Sequence, residues 1–319
     1  MRSAFPVVIL LAASPVASEI RLEIPVDCQL GKTCHIQNYF DHTPTGKFRD
    51  FRCGSLTYDG HTGTDFGLPT LANMKNGVDV LAAAPGKVRA VRDGMLDKKF
   101  DPNAANDVEN RECGNGVVIE HDDGWETQYC HLLRGSVAVA PDDLVETGSV
   151  LGKIGLSGKT QFPHLHLSVR KNGLPVDPFV PNGGNGCEDS DASLWATPLE
   201  YVSSGLLSVG FSQGIPSYEA VLAGTAAETK LPTSAGAIVL YGHAFGGRAG
   251  DVIRLEIFGP DGEFLSEDMV LDKTQAQLYR ATGRRLSDTR WEAGEYRGVV
   301  TLIREGTAIS KKATSVTVR

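Results

Sequence analysis

Short apolar runs bounded by glycine, proline or aspartate recur along most of the chain. In the first part they cover residues 78–84, 88–91, 116–120, 125–129, 150–154 and 165–170. Runs of this length between turn residues are typical of β-strands. The Asp122-Asp123-Gly124 sequence between two of these runs predicts a hairpin. Residues 95–113 are polar and rich in Asp and Asn, which predicts a long surface loop.

A second series of candidate strands begins after about residue 200. Its members are residues 206–211, 238–243, 252–258, 265–271, 277–281, 296–303 and 315–318. Short strands at this spacing predict a β-sandwich of immunoglobulin-like size. The Cys-Trp-Cys signature of antibody domains is absent from this part of the sequence, so the prediction rests on strand number alone.

The N-terminal residues have the pattern of a secretory signal. Arg2 precedes an apolar stretch at residues 6–17, and Val16-Ala17-Ser18 resembles a cleavage site. The stretch is too short to span a bilayer as a helix, and no other segment is long and apolar enough. A buried N-terminal strand remains the alternative interpretation.

The patterns divide the chain into four parts. We expect a signal peptide at residues 1–18, a Cys-containing lead-in at 19–55, a catalytic domain at 56–188 and a β-sandwich domain at 200–319. The glycine-rich turn at residues 182–186 marks the boundary before the last part.

Charge and cysteine content limit the environment and the partners. The net charge of −8 disfavours nucleic acid and anionic membrane surfaces as partners. Six cysteines follow the signal, and an even number in an exported chain predicts disulfides in an oxidising compartment. Six cysteines allow 15 pairings, which the sequence does not resolve. Our hypothesis is Cys28–Cys34, Cys113–Cys130 and Cys53–Cys187. A cysteine zinc site is disfavoured because no C-x-x-C pair is present.

Two short motifs contain candidate metal ligands. His61 and Asp65 lie four residues apart among glycines, which disfavour a helix. In an extended segment both would face the same side, and both are competent zinc ligands. Further along, His164 and His166 alternate with leucines, so the two histidines should share one face of a strand. That pair alone is as often a hydrogen-bonded polar face as a metal site.

A third motif, Tyr129-Cys130-His131-Leu132, completes a set of five candidates. Catalytic zinc uses three protein ligands and an open position, and it makes an activated water available near neutral pH. The two remaining residues would transfer protons and stabilise the developing oxyanion. The chain contains no H-E-x-x-H motif, so histidine would replace the usual glutamate base.

Taken together, the sequence resembles the lysostaphin/LytM-type zinc endopeptidases, which cut peptide bridges in bacterial peptidoglycan. The family pattern is H-x-x-x-D, a later H-L after a tyrosine-containing strand, and a final H-x-H, in the order seen here. The resemblance extends from about residue 58 to residue 178. It implies a compact antiparallel β domain with a groove above its sheet.

The resemblance also implies the role of each motif residue. His61, Asp65 and His166 match the family's zinc ligands, so the expected cofactor is Zn2+. His131 and His164 match its catalytic histidines, and the division of work between them stays open. The sequence departs from the family at Cys130 and Phe162, where small residues are usual, without loss of a ligand.

The expected function is that of an exported zinc metalloendopeptidase acting on peptidoglycan peptide cross-links, in the periplasm or secreted. One alternative is a non-catalytic regulatory or binding module of cell-wall hydrolysis, which the five intact positions disfavour. Another is a metallopeptidase that acts on extracellular protein. The C-terminal domain is expected to bind a wall component, a protein partner or the catalytic groove.

Overall fold

A computed structural model describes residues 19–43, 46–183, 187 and 192–319. The predicted signal peptide at residues 1–18 lies outside the described residues. In the first half the strands and the helix are His35–Asn38 (β1), Thr64–Gly67 (β2), Leu71–Asn76 (α1), Asp79–Leu81 (β3), Gly86–Arg92 (β4), Asn115–Glu120 (β5), Trp125–Leu132 (β6), Leu144–Val145 (β7), Val150–Lys153 (β8), His164–Lys171 (β9) and Leu174–Val176 (β10). Two 3₁₀ turns cover Pro102–Asp107 and Asp122–Gly124.

The second half continues with strands and one short helix. They are Gly205–Ser212 (β11), Tyr218–Ala223 (α2), Lys230–Leu231 (β12), Ala237–Gly247 (β13), Val252–Gly259 (β14), Gly262–Val270 (β15), Gln275–Arg285 (β16), Gly294–Arg304 (β17) and Thr307–Val318 (β18). The mainly β fold predicted from the apolar pattern is confirmed.

One antiparallel sheet supports the candidate motifs. Its strand order is β1-β2-β9-β6-β5-β4-β7, with β10 paired to β9. The predicted hairpin is present as β5 and β6, joined at Asp122–Gly124. Leu165, Leu167 and Val169 of β9 are completely buried in the core. Because side chains alternate along a strand, His164 and His166 occupy the other face, as predicted.

The N-terminal lead-in is part of this sheet. Its strand β1 pairs antiparallel with β2, so that Asn38 lies opposite Asp65. Lead-in residues including Ile36 and Tyr39 contribute to the same apolar core as β9. The segment therefore reaches the strand that carries one of the candidate ligands.

The C-terminal region contains two sheets around a shared core. One has the order β11-β13-β16 and the other β12-β18-β17-β14-β15. Side chains from both sheets, among them Phe211, Leu240, Leu255 and Val300, form one buried cluster. Helix α2 and strand β12 were not predicted from the sequence. The immunoglobulin-like relationship stays a prediction.

The three disulfides have the pairing that we expected. They join Cys28 to Cys34, Cys53 to Cys187 and Cys113 to Cys130. The last of these connects Cys113, two residues before β5, to Cys130 of β6 and lies next to His131. None of the helices in the described part of the chain has the length and apolar character that crossing a membrane requires.

Candidate metal centre

The three candidate ligands converge on one point above the sheet. Asp65 on β2 lies opposite His166 on β9, so strand pairing brings them together. Asp65 Oδ1 is 2.8 Å from His166 Nδ1 and 3.1 Å from His61 Nε2. The two histidine nitrogens are 3.1 Å apart. His61 precedes β2 rather than lying on it, because the chain bends at Gly63. The predicted continuous extended segment is therefore wrong, although its two residues do meet.

These separations fit a zinc ion. Tetrahedral coordination with bonds of about 2.0–2.1 Å places neighbouring ligand atoms about 3.3 Å apart. The observed separations of 2.8 to 3.1 Å are only slightly shorter. Two imidazole nitrogens and one carboxylate oxygen are also a donor set that zinc accepts. Within the described ranges, this trio is the one group of three or more potential ligands close enough to hold an ion.

Neighbouring groups turn each ligand toward the common point. His61 Nδ1–H donates to the Tyr39 carbonyl oxygen at 2.7 Å, which leaves Nε2 as the free acceptor. His166 Nε2 contacts Ser168 Oγ at 2.9 Å, and its Nδ1 faces Asp65. Such contacts fix the ring orientation and tautomer of metal-binding histidines.

The carboxylate of Asp65 is held in the same way. Asn38 Nδ2 donates to Asp65 Oδ2 at 2.9 Å, while Oδ1 faces the two histidines. Sequence reasoning did not identify Asn38 or Tyr39, because neither lies in a recognisable motif and both come from the lead-in. Only the pairing of β1, which ends at Asn38, with β2 reveals these contacts.

The electrostatics favour the metal-binding protonation state of Asp65 and His166, but not that of His61. Burial opposes ionisation of Asp65, but the neighbouring His61 and His164 outweigh it and hold the pKa of Asp65 well below its usual range. Burial lowers the pKa of His166. Burial also acts against the charged form of His61, yet the Asp65 carboxylate raises the pKa of His61 above its ordinary value. An ionised carboxylate and neutral imidazoles are the metal-binding forms of these side chains, so a metal would displace any proton on His61.

The two predicted catalytic histidines lie beside this group. The rings of His131 and His164 are 4.7 Å apart, and His164 Nε2 is 3.4 Å from Asp65 Oδ1. His131 Nδ1–H donates to the Ser157 carbonyl oxygen at 2.7 Å, so its Nε2 is the free acceptor. Burial, followed by the proximity of His164 and His166, places the pKa of His131 well below its usual value. The structure thus brings all five predicted site residues together.

The backbone at His131 has an uncommon conformation. Its φ of 65° lies in the left-handed region, which costs about 1–3 kcal/mol for a residue other than glycine. The amide of His131 donates to the Cys113 carbonyl, and its carbonyl accepts from the Gly155 amide. Together with the Cys113–Cys130 disulfide, these bonds hold the residue in place.

Two aromatic side chains flank the centre. The Tyr58 ring lies 4.5 Å from the His61 ring, and Tyr58 is 52% exposed. The Phe162 ring stacks on His164 at 4.4 Å. Phe162, a departure from the usual family pattern, therefore forms a wall beside a predicted catalytic residue.

The histidines outside the five have structural contacts. His121 joins the hairpin turn to the Pro85 carbonyl at 2.7 Å and to Thr127 at 2.8 Å. His42 pairs with Asp177 at 2.7 Å. His35 bonds to Gln37, and His243 is buried in the C-terminal region.

The region that contains the site is similar in sequence to known proteins. Residues 60–178 match the model of Peptidase family M23. DD-carboxypeptidase/endopeptidase Mpg of Neisseria meningitidis is 36% identical over 105 residues, which cover 33% of this chain and 22% of that protein. Peptidoglycan DD-endopeptidase ShyB of Vibrio cholerae is 32% identical over 117 residues, which cover 37% of this chain and 22% of that protein. The match thus spans about a fifth of the length of these relatives.

A solved structure also aligns with part of this chain. The catalytic domain of the prophage-encoded M23 protein EnpA from Enterococcus faecalis is 23% identical, with a TM-score of 0.33; the alignment covers 50% of this chain and 96% of that one. The family match covers all five site residues and agrees with the resemblance seen in the motifs. Residues 60–178 of this chain therefore match Peptidase family M23 both over their length and in the order of their motifs.

Proposed function

We propose that the protein is an exported zinc metalloendopeptidase that hydrolyses peptide bonds in bacterial peptidoglycan. The observation that carries the proposal is the convergence of His61, Asp65 and His166 beside His131 and His164 within an M23 domain. Relatives named as peptidoglycan DD-endopeptidases support the substrate class.

In this proposal His61, Asp65 and His166 hold the zinc ion. When bound, zinc would supply an activated water at neutral pH and polarise the scissile carbonyl. The protein positions the ion through the Tyr39 carbonyl, Asn38 and Ser168, which orient the three ligands.

His131 and His164 supply proton transfer and hydrogen bonding to the reacting peptide. His131 presents Nε2 as an acceptor because Nδ1–H is bonded to Ser157, and its low pKa keeps the ring neutral. A neutral imidazole can take a proton from the attacking water and return it to the leaving amine. Phe162 and Tyr58 would shield the reacting atoms on two sides, where exclusion of water strengthens these interactions.

The proposed location is the periplasm or the extracellular medium. Three disulfides support an oxidising compartment, since such bonds are rare in the cytosol. The chemistry and the location thus agree with a substrate outside the cytoplasmic membrane.

Purified peptidoglycan sacculi test the proposal. The protein should release fragments whose masses show cleaved peptide cross-links, and His131→Ala or His164→Ala should lower the rate at least about 100-fold. His121→Ala is a control because it removes a partly exposed histidine outside the centre. Cleavage of a protein substrate without release from sacculi would favour the extracellular-protein alternative, and zinc binding without any cleavage would favour a regulatory module.

A further inference from the structure

Strand β1 lies between the metal centre and the C-terminal domain. On one side it is paired with β2, the strand that carries Asp65. On the other it contacts β13 and β16, which belong to the C-terminal sheets. A four-residue strand is thus shared by the two parts of the molecule.

The contacts with the centre come from the last residue of β1 and the residue after it. Asn38 donates its side-chain amide to Asp65 Oδ2 at 2.9 Å. Tyr39 accepts from His61 Nδ1 through its backbone carbonyl at 2.7 Å. Two of the three candidate ligands are therefore oriented by a segment outside the region that matches the family.

The contacts with the C-terminal domain come from His35 and Gln37, both buried. The His35 ring lies 4.6 Å from the Phe245 ring. Gln277 Nε2 donates to Gln37 Oε1 at 2.9 Å, and Gln37 Nε2 donates to the Ala276 carbonyl at 3.4 Å.

A glycine on β2 leaves space for this arrangement. A Cβ atom at Gly67 would lie 2.8 Å from His35 Cε1, which is closer than real contacts allow. The imidazole of His35 can therefore lie across β2 only because residue 67 has no side chain. Gly67 thus allows His35 to pack against β2 while its ring also lies beside Phe245 of β13.

We propose that Asn38 is a positioning residue of the metal centre and that the C-terminal domain, through Gln37 and Gln277, holds the strand that carries it. The proposal rests on the proposed assignment of Asp65 as a ligand. Asn38 restrains one carboxylate oxygen so that the other is presented to the ion. Without the amide donor, Asp65 would rotate and lose part of its orientation.

The first test measures zinc affinity by competition with a chromophoric chelator. Asn38→Leu and Asn38→Ala both remove the donor and should weaken zinc binding about 10- to 100-fold, the usual loss when such an outer contact is removed. Asn38→Gln keeps an amide and should recover part of the affinity. Asn103→Leu, at an exposed position of the 3₁₀ turn Pro102–Asp107, is the control and should bind like the wild type.

A spectroscopic readout separates positioning from loss of fold. In the cobalt-substituted protein, the visible absorption bands should shift in Asn38→Leu, while circular dichroism and urea unfolding of the metal-free protein stay close to those of the wild type. Wild-type affinity and an unchanged cobalt spectrum in both donor-free variants would overturn the proposal.

The second test addresses the role of the C-terminal domain. Gln277→Leu should weaken zinc binding about two- to tenfold, the size expected for coupling through packed elements. Gln213→Leu, exposed on the same domain, is the control and should have no effect. If the effect passes through Asn38, Gln277→Leu should add little in the Asn38→Leu background; full additivity would refute the connection.

Zinc affinity is measured without any assay of wall hydrolysis. The proposed activity and the proposed role of Asn38 can therefore fail separately. Zinc binding that depends on Asn38, in a protein that leaves sacculi intact, would reject the proposed activity and retain the positioning role. Cleavage of sacculi with an affinity insensitive to Asn38 would do the reverse.

Discussion

The Cys113–Cys130 disulfide should stabilise the fold and also hold His131 in its uncommon conformation. The bond joins the segment just before β5 to Cys130 of β6, immediately before His131, and the Cys113 carbonyl accepts from the His131 amide. Replacing both cysteines by alanine removes the covalent connection and leaves the strand pairing to hold the residue. Loss of stability and loss of catalytic geometry should therefore occur together.

The size of the stability effect follows from the loop that the bond closes. With a sequence separation of 17, the chain-entropy relation gives about 3 kcal/mol at 25 °C. The Cys28–Cys34 bond, with a separation of 6, gives about 2 kcal/mol by the same relation. The left-handed φ at His131 stores a further cost of about 1–3 kcal/mol, which favours relaxation once the restraint is lost.

The two double variants form a matched pair for urea unfolding and sacculus hydrolysis. Cys113→Ala/Cys130→Ala should lose about 3 kcal/mol of the free energy of unfolding and most of its activity. Cys28→Ala/Cys34→Ala should lose about 2 kcal/mol and retain its activity in conditions where it remains folded. Equal activity losses in both folded variants would refute the link between the disulfide and His131.

Two further predictions concern buried positions. Burial lowers the pKa of His35 and of His243 to about 4, so the unfolded chain binds more protons than the folded one between pH 4 and 6.5. The stability that these two histidines contribute is therefore complete above pH 6.5 and is lost toward pH 4, by about 3 kcal/mol for each histidine. Urea unfolding of His243→Leu should show a flatter pH dependence, and an unchanged slope would contradict this reasoning. Gly63→Ala would place a Cβ atom 2.5 Å from His166 Cε1 and should reduce zinc affinity at least about tenfold, as measured by chelator competition. Gly214→Ala faces open space and should leave affinity unchanged; equal affinities of the two variants would show that the site tolerates the displacement.

The apolar pattern predicted much of the fold because β-strands leave a local signature. Alternation of leucine and histidine in residues 164–167 predicted both the strand and the shared face of His164 and His166. Helix α2 has only six residues, too few for a helical period to emerge from the sequence. The bend before β2 was missed because Gly63 is compatible with both extended and bent backbone.

The five site residues were predictable because they lie in short motifs with a characteristic order. Their supporting contacts were not, since Asn38 and Tyr39 reach His61 and Asp65 through a strand pairing that spans more than 20 residues. Register between separated strands depends on the packing of the whole sheet, which no local pattern encodes. The contact between Gln37 and Gln277 spans 240 residues and needed the structure for the same reason.

The metal content of the purified protein tests the central claim most directly. We expect one zinc per chain in the wild type, measured by mass spectrometry of the metal after dialysis, and a loss of at least about 100-fold in affinity in Asp65→Ala and His166→Ala. His42→Ala, which removes a histidine paired with Asp177 away from the centre, should retain one zinc. A wild-type protein without bound zinc, or variants of Asp65 and His166 that keep a full equivalent, would contradict the assignment of these residues as its ligands.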